Sequence, residues 1–174
     1  MTPSGTVVWF TGRPATGKTT LAEALLGALH RRNLATVHLD SDRLRTFLTP
    51  EPSYTAEERE WLYQVVQELA VVCSEGGAIV VVSATAPYRR HRDRVRERVP
   101  RFVEVLLRTD ESVLRSRDPK GLYAAAAQGT VRNLPGIDAP YEAPENPELT
   151  LRTDLQSVPE LTEKLLAHVV PSSS

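Results

Sequence analysis

The chain has 174 residues, with 21 Lys and Arg against 22 Asp and Glu and a formal net charge of −1. That length suits one domain with a core of ordinary size, and the balanced charge argues against a nucleic-acid protein working by bulk electrostatics. The single Cys73 cannot form an internal disulfide, and no apolar run approaches membrane-spanning length, so a cytoplasmic protein without membrane or nucleic-acid partners is expected.

Thr6-Val7-Val8-Trp9-Phe10-Thr11 reads as a buried strand. It runs into Gly12-Arg13-Pro14-Ala15-Thr16-Gly17-Lys18-Thr19, which fits the phosphate-binding loop G-x-x-x-x-G-K-[ST]. A helix follows, with Leu21, Ala24, Leu25, Ala28 and Leu29 on one face. Strand, glycine loop and helix together aim backbone N–H groups and a positive helix end at a polyphosphate. Lys18 is expected to reach the β- and γ-phosphates from a solvated position, and the Thr19 hydroxyl to hold Mg²⁺. The motif predicts ATP or GTP binding.

Ala35 to Leu39 reads as a second strand, ending in Asp40-Ser41-Asp42, and the C-terminal edge of such a strand is where ligands bind in open α/β sheets. A short segment with Leu44, Phe47 and Leu48 is broken at Pro50. Thr55 caps a long helix with Glu57 and Glu58 in its first turn and Leu62, Val65, Val66, Leu69, Val72 and Cys73 as its apolar face. Ala78 to Val82 is a strand apolar on both faces. An arginine-rich helix from Pro87 to Arg98 reads as a solvated face with i,i+4 pairs to Asp93 and Glu97.

Phe102 to Leu107 is the next strand, and a short helix spans about Asp110 to Arg117. From Gly121 to Glu148 there is an alanine-rich turn, Ala124 to Ala127, then glycines and prolines with little periodicity, which suits a lid. Leu149 to Arg152 is a last strand, Val158 to Val169 a last helix and Pro171 to Ser174 a frayed tail. Strands alternating with helices predict a parallel α/β sandwich.

The nucleotide chemistry narrows by elimination. No N-K-x-D guanine signature is present, and the third strand ends at Ser83 where a Walker-B aspartate is usual. Asp40 and Asp42 are the remaining carboxylates near the phosphates. One of them can accept the proton of an acceptor hydroxyl, which suits a kinase. An Asp-x-Asp here also suits a helix N-cap, and the two roles are compatible.

The sequence resembles the adenylylsulfate kinase (APS kinase) family from Val8 to about Leu166. The resemblance rests on the phosphate loop with Thr19-Thr20, on Leu39-Asp40-Ser41-Asp42-Arg43-Leu44-Arg45, and on Arg117-Asp118-Pro119-Lys120-Gly121-Leu122-Tyr123. Gly136-Ile137-Asp138, Tyr141-Glu142 and Pro144-Glu145 continue it. It implies a P-loop NTPase-like three-layer sandwich with a central parallel sheet, spanning 1–170 with a lid at about 118–148. It also implies transfer of the ATP γ-phosphoryl group to the 3′-hydroxyl of adenosine 5′-phosphosulfate (APS), with Mg²⁺ held by Thr19 and Asp40, and a homodimer is compatible with it.

By the same resemblance, Lys18, Asp40, Asp42 (the base) and Lys120 are catalytic. Gly12, Arg13, Pro14, Ala15, Thr16, Gly17, Lys18, Thr19 and Thr20 bind ATP. Asp42, Arg45, Tyr54, Arg59, Leu62, Ala86, Lys120, Leu122 and Leu134 face the acceptor. Three of these depart from the family pattern: Leu62 replaces Asn, Ala86 replaces Ser and Leu134 replaces an aromatic. Two other readings stay open: the same chemistry on another small anionic, nucleotide-like hydroxyl compound, and a nucleotide-sensing module without turnover. Either arginine, Arg45 or Arg59, also suits a plain surface ion pair, Arg59 with Glu58 or near Glu60.

Overall fold

Five strands make one parallel sheet in the computed structural model, which describes residues 5–170. The strands are β1 (Thr6–Thr11), β2 (Thr36–Asp40), β3 (Ile79–Ser83), β4 (Arg101–Arg108) and β5 (Leu149–Arg152), in the order β2-β3-β1-β4-β5. β1 lies at the centre, with Val8 beside Val81 on one side and Val103 on the other. Every residue of β1 is buried, as its unbroken apolar run requires of a strand covered on both faces.

Side chains leave that strand alternately. Val8 and Phe10 enter a core with α1 (Lys18–His30) and α7 (Val158–Val169), whereas Val7 and Trp9 enter one with α3 (Ala56–Glu75). The second core also receives Val95 of α4 (Arg89–Arg96). These two helical layers enclose the sheet, giving the expected three-layer sandwich. Three shorter helices complete it: α2 (Ser41–Leu48), α5 (Glu111–Arg117) and α6 (Leu122–Ala127). The tail from Pro171 to Ser174 lies outside the described residues.

The structure corrects three local expectations. In α3 the buried stripe is Leu62, Tyr63, Val66, Gln67, Ala70, Val71 and Ser74, and Val72 is 59% exposed. A helix turns about 100° per residue, so Val71 facing the sheet carries Val72 out of the core. The expected alanine-rich turn is a helix that begins two residues earlier, at Leu122.

The arginine helix is shorter than expected, and its partners are not on it. Arg90 and Arg94 reach Glu60 on α3 at 2.9 and 3.2 Å, and Arg98 pairs with Glu68. Arg96 lies between Glu104 and Glu148, and Arg89 pairs with Glu145. Arg92 is wholly buried. Carboxylates on α3, β4 and the chain before β5 surround α4, so its arginines bind neighbours distant in sequence rather than Asp93 and Glu97.

Candidate active site

The turn after β1 is shaped by glycine. Gly12 has φ +154, and a Cβ there would lie 2.8 Å from the Leu107 carbonyl oxygen. No larger residue fits without moving backbone. Gly17 (φ +91) caps α1 without a side-chain partner, and the first turn of α1 carries no acidic residue. Its free N–H groups and the positive helix end make an anion site. The Thr16 hydroxyl braces the turn by donating to the Arg13 carbonyl at 2.9 Å.

Lys18 is partly covered rather than solvated. Its ammonium donates to the carbonyls of Gly12 and Arg13, both at 2.9 Å. Burial pushes its pKa down to about 8, against the opposing pull of the Asp42 and Asp40 charges and with the help of Lys120. An ammonium so held gains strongly from an arriving phosphate.

Asp40 ends β2 and works in two directions. Its Oδ1 accepts from the N–H groups of Asp42 and Arg43 at 3.0 and 2.9 Å, capping α2, while its Oδ2 accepts from the hydroxyls of Thr19 and Ser83, both at 2.8 Å. Burial alone would raise its pKa, but the Arg43 N–H and the Thr19 and Ser83 hydroxyls outweigh that and hold it below the usual carboxylate range. His38 Nε2 lies 2.9 Å from Ser83 Oγ, so His38, Ser83, Asp40 and Thr19 form one chain. A hydroxyl and a carboxylate meeting beside the loop are hard oxygen donors that fit Mg²⁺, a cation commonly held by one or two carboxylates plus phosphate oxygens and water.

Asp42 stands clear of this chain, two residues along on α2. It is exposed and ion-paired with Lys120, which precedes α6. Both line a cavity of about 470 Å³ together with Lys18 and Thr19. Pro14, Ala15, Gly17 and Thr20 of the loop also face it, as do Arg45, Tyr54, Arg59, Leu122 and Leu134. Gly12, Arg13, Thr16 and Asp40 do not line it: Gly12, Thr16 and Asp40 are buried, and Arg13 reaches Glu111 at 3.7 Å. Leu62 and Ala86 are wholly buried and do not line the cavity.

The two arginines differ. Arg45 donates to Glu58 at 2.9 Å and lies 5.2 Å from the Tyr54 ring centre. Arg59 has no ion pair among the described residues, and its Nε is buried without a partner. Glu58 is occupied by Arg45, and Glu60 by Arg90, His91 and Arg94. The ion-pair alternative therefore fits Arg45 and fails for Arg59. A second cavity of about 650 Å³ shares Tyr54, Arg59 and Pro135 with the first and contains no residue of the phosphate loop.

The segment from Asp118 to Glu148 is tied down at several points. The Asp118 carboxylate accepts from the N–H groups of Tyr123 and Ala124 at 3.1 and 3.0 Å, and the Tyr123 hydroxyl donates to the Pro14 carbonyl at 3.0 Å. Asp138 accepts from the Asn133 and Leu134 N–H groups, and Gly136 (φ +78) packs where a Cβ would meet Arg13 at 2.9 Å.

Residues the sequence reading missed also line the cavity, among them Tyr63, Ser83, Thr85 and Arg132. Tyr63 is four residues from Arg59 and so shares its helix face, a signal that was available. Ser83 is the register partner of Asp40 across β2 and β3, which only the sheet reveals.

The adenylylsulphate kinase family model matches residues 4–152. The chain belongs to that family. It is 42% identical to the adenylyl-sulfate kinase of Chloroflexus aurantiacus, covering 95% of this chain and 89% of that one. Against the adenylyl-sulfate kinase of a Picosynechococcus species it is 40% identical, covering 93% and 92%. Among solved structures, the Mycobacterium tuberculosis APS kinase CysC in complex with AMPPNP and APS matches with TM-score 0.88 and 31% identity over 98% and 99% of the two chains. A Sinorhizobium meliloti gluconokinase at 22% identity and TM-score 0.56 shares the fold alone. Membership makes this chain a phosphotransferase with a hydroxyl acceptor. No helix among the described residues is long and apolar enough to cross a membrane.

Proposed function

We propose that the protein transfers the γ-phosphoryl group of ATP to the 3′-hydroxyl of APS, giving 3′-phosphoadenosine 5′-phosphosulfate. The observation that carries this reading is one cavity holding Lys18, Asp42 and an Arg59 with no carboxylate partner. A phosphate loop, an exposed carboxylate and a guanidinium without a carboxylate partner suit, in that order, a polyphosphate donor, a hydroxyl and an anionic acceptor. The mycobacterial relative, solved with AMPPNP and APS, supports the same assignment.

The polyphosphate binds against the loop N–H groups and the start of α1. Lys18 leaves the Gly12 and Arg13 carbonyls for the phosphate oxygens, where its charge opposes the charge developing during transfer. Asp42 accepts the proton of the acceptor hydroxyl as that oxygen bonds to the γ-phosphorus and the bond to the ADP oxygen breaks. Lys120, its present partner, faces the same cavity. Arg59 and Arg45 meet the phosphosulfate, and Tyr54 offers a ring face to the acceptor base. Mg²⁺, held by Thr19 and Asp40, supplies charge neutralisation on the phosphates when bound. The segment at about 118–148 acts as the lid that excludes water.

The aliphatic wall at Leu134 favours, as a second reading, the same transfer to another small anionic, nucleotide-like hydroxyl compound. ADP formation measured with ATP and a panel of acceptors separates the two. APS as the strongest acceptor is expected; another acceptor turned over faster would move the assignment to the second reading.

A further inference from the structure

The only arginine of α4 with no solvent exposure is Arg92, and its three donor groups go to three different parts of the chain. Nε donates to Glu104 Oε1 on β4 at 2.6 Å, Nη1 donates to the Ala86 carbonyl, and Nη2 donates to the Glu142 carbonyl at 2.7 Å. The last two join the turn after β3 to the loop before β5, and residues beside each line the cavity. Ala86 lies in the turn after β3, between Thr85, which lines the catalytic cavity, and Pro87, which lines the second one. Glu142 follows the loop whose Leu134 and Pro135 close the catalytic cavity.

The two segments are joined again beside the arginine. The Glu142 N–H donates to the Pro87 carbonyl at 2.7 Å, and the Glu142 carboxylate accepts from the Arg89 N–H at 2.8 Å. Ala86 has φ +42, a left-handed conformation that a residue with a Cβ rarely adopts unless held. A guanidinium presents its donors in a fixed plane, so one side chain sets the separation of both carbonyls from β4.

We infer that Arg92 is a positioning residue for the phosphoryl acceptor, fixing the turn at 84–87 against the loop at 133–142 so that both walls of the acceptor site stand at a set distance. The inference rests on the proposed reaction for its kinetic readout only. Arg92 is wholly buried and lines neither cavity; its effect passes through two backbone carbonyls.

Removing Arg92 alone leaves Glu104 buried and short of a partner, so the test uses neutral pairs. Glu104→Gln keeps both carbonyl contacts, and Arg92→Met with Glu104→Gln removes them. The double variant is expected to raise the KM for APS at least about tenfold, as misplaced walls do. The KM for ATP should change less than about twofold, because the phosphate loop is untouched. Amide exchange at 139–142 should quicken in the double variant, whereas Glu104→Gln, which takes the carboxylate from the buried Arg92 but keeps its carbonyl contacts, should lose stability while both KM values stay near wild type. If the double variant does not fold, Arg92→Lys carries the test, since it keeps the charge beside Glu104 but not the fork; it should show the same KM split. Unchanged KM for APS together with unchanged exchange would overturn the inference, as would equal rises in both KM values. Wild-type protein inactive with APS would overturn the proposed reaction instead, and the exchange measurement would then decide the role of Arg92.

Discussion

Lys120 and Asp42 form an ion pair across the mouth of the catalytic cavity, although 78 residues separate them. Both side chains are more than half exposed, at 58% and 63%, so the pair contributes little to stability. Its place is better explained by the reaction, since it brings the segment at 118–148 to the carboxylate proposed as base. Asp42→Asn keeps the shape but cannot take a proton. It should lower kcat by about 10²–10⁴-fold while ATP affinity and melting temperature stay near wild type. Steady-state kinetics with calorimetry checks this; a similar loss in Asp40→Asn and none in Asp42→Asn would move the base to Asp40.

Asp40 should matter to both folding and catalysis. Its pKa lies below the usual carboxylate range in the folded chain. A depressed carboxylate adds stability above its unfolded pKa, and that stability is lost as pH falls through the folded pKa. Wild-type stability should therefore decline below about pH 4, and Asp40→Asn should flatten that part of the curve. Ser83→Ala, which removes one donor to Oδ2, should raise the Mg²⁺ concentration needed for half-maximal activity. Denaturation across pH and Mg²⁺ titration check these outcomes.

Much of this arrangement was legible in the sequence, and the reasons for the remainder are local. The phosphate loop and β1, β3 and β4 announce themselves by glycine spacing and by runs that sheet burial demands. Asp40 and Asp42 were legible as a pair from the residues, but their division of labour came only through the family resemblance, since it depends on which carboxylate faces Thr19. The partners of the α4 arginines were not legible: Arg90 meets Glu60 and Arg96 meets Glu148 only because the chain returns to that face. Leu62 was read as an acceptor contact by resemblance, whereas helix phase turns it into the core and gives the cavity wall to Tyr63.

The lowered pKa of Lys18 gives nucleotide binding a pH signature. In the free protein Lys18 loses its proton near pH 8, and a bound polyphosphate raises that value again. Binding above about pH 8 should therefore take up a proton, and ATP affinity should weaken as pH rises. Calorimetry in buffers of differing ionisation enthalpy measures the uptake directly. Lys18→Ala should abolish it along with most phosphoryl transfer, while the fold is kept.

The acceptor wall can be separated from the core behind it. Leu134 lines the cavity, so Leu134→Phe offers a stacking face and should lower the KM for APS without moving that for ATP. Leu62 has no exposed surface, so Leu62→Asn buries an amide and should cost about 1–3 kcal/mol of stability. Paired kinetic and unfolding measurements distinguish the two effects.

The central claim is the identity of the bond formed, and phosphorus NMR of the products tests it most directly. With ATP, Mg²⁺ and APS, the account predicts ADP together with a new phosphate monoester on the 3′-oxygen of APS, both lost in Asp42→Asn. ADP formed at the same rate without APS, or APS recovered unchanged while ATP is consumed, would contradict it.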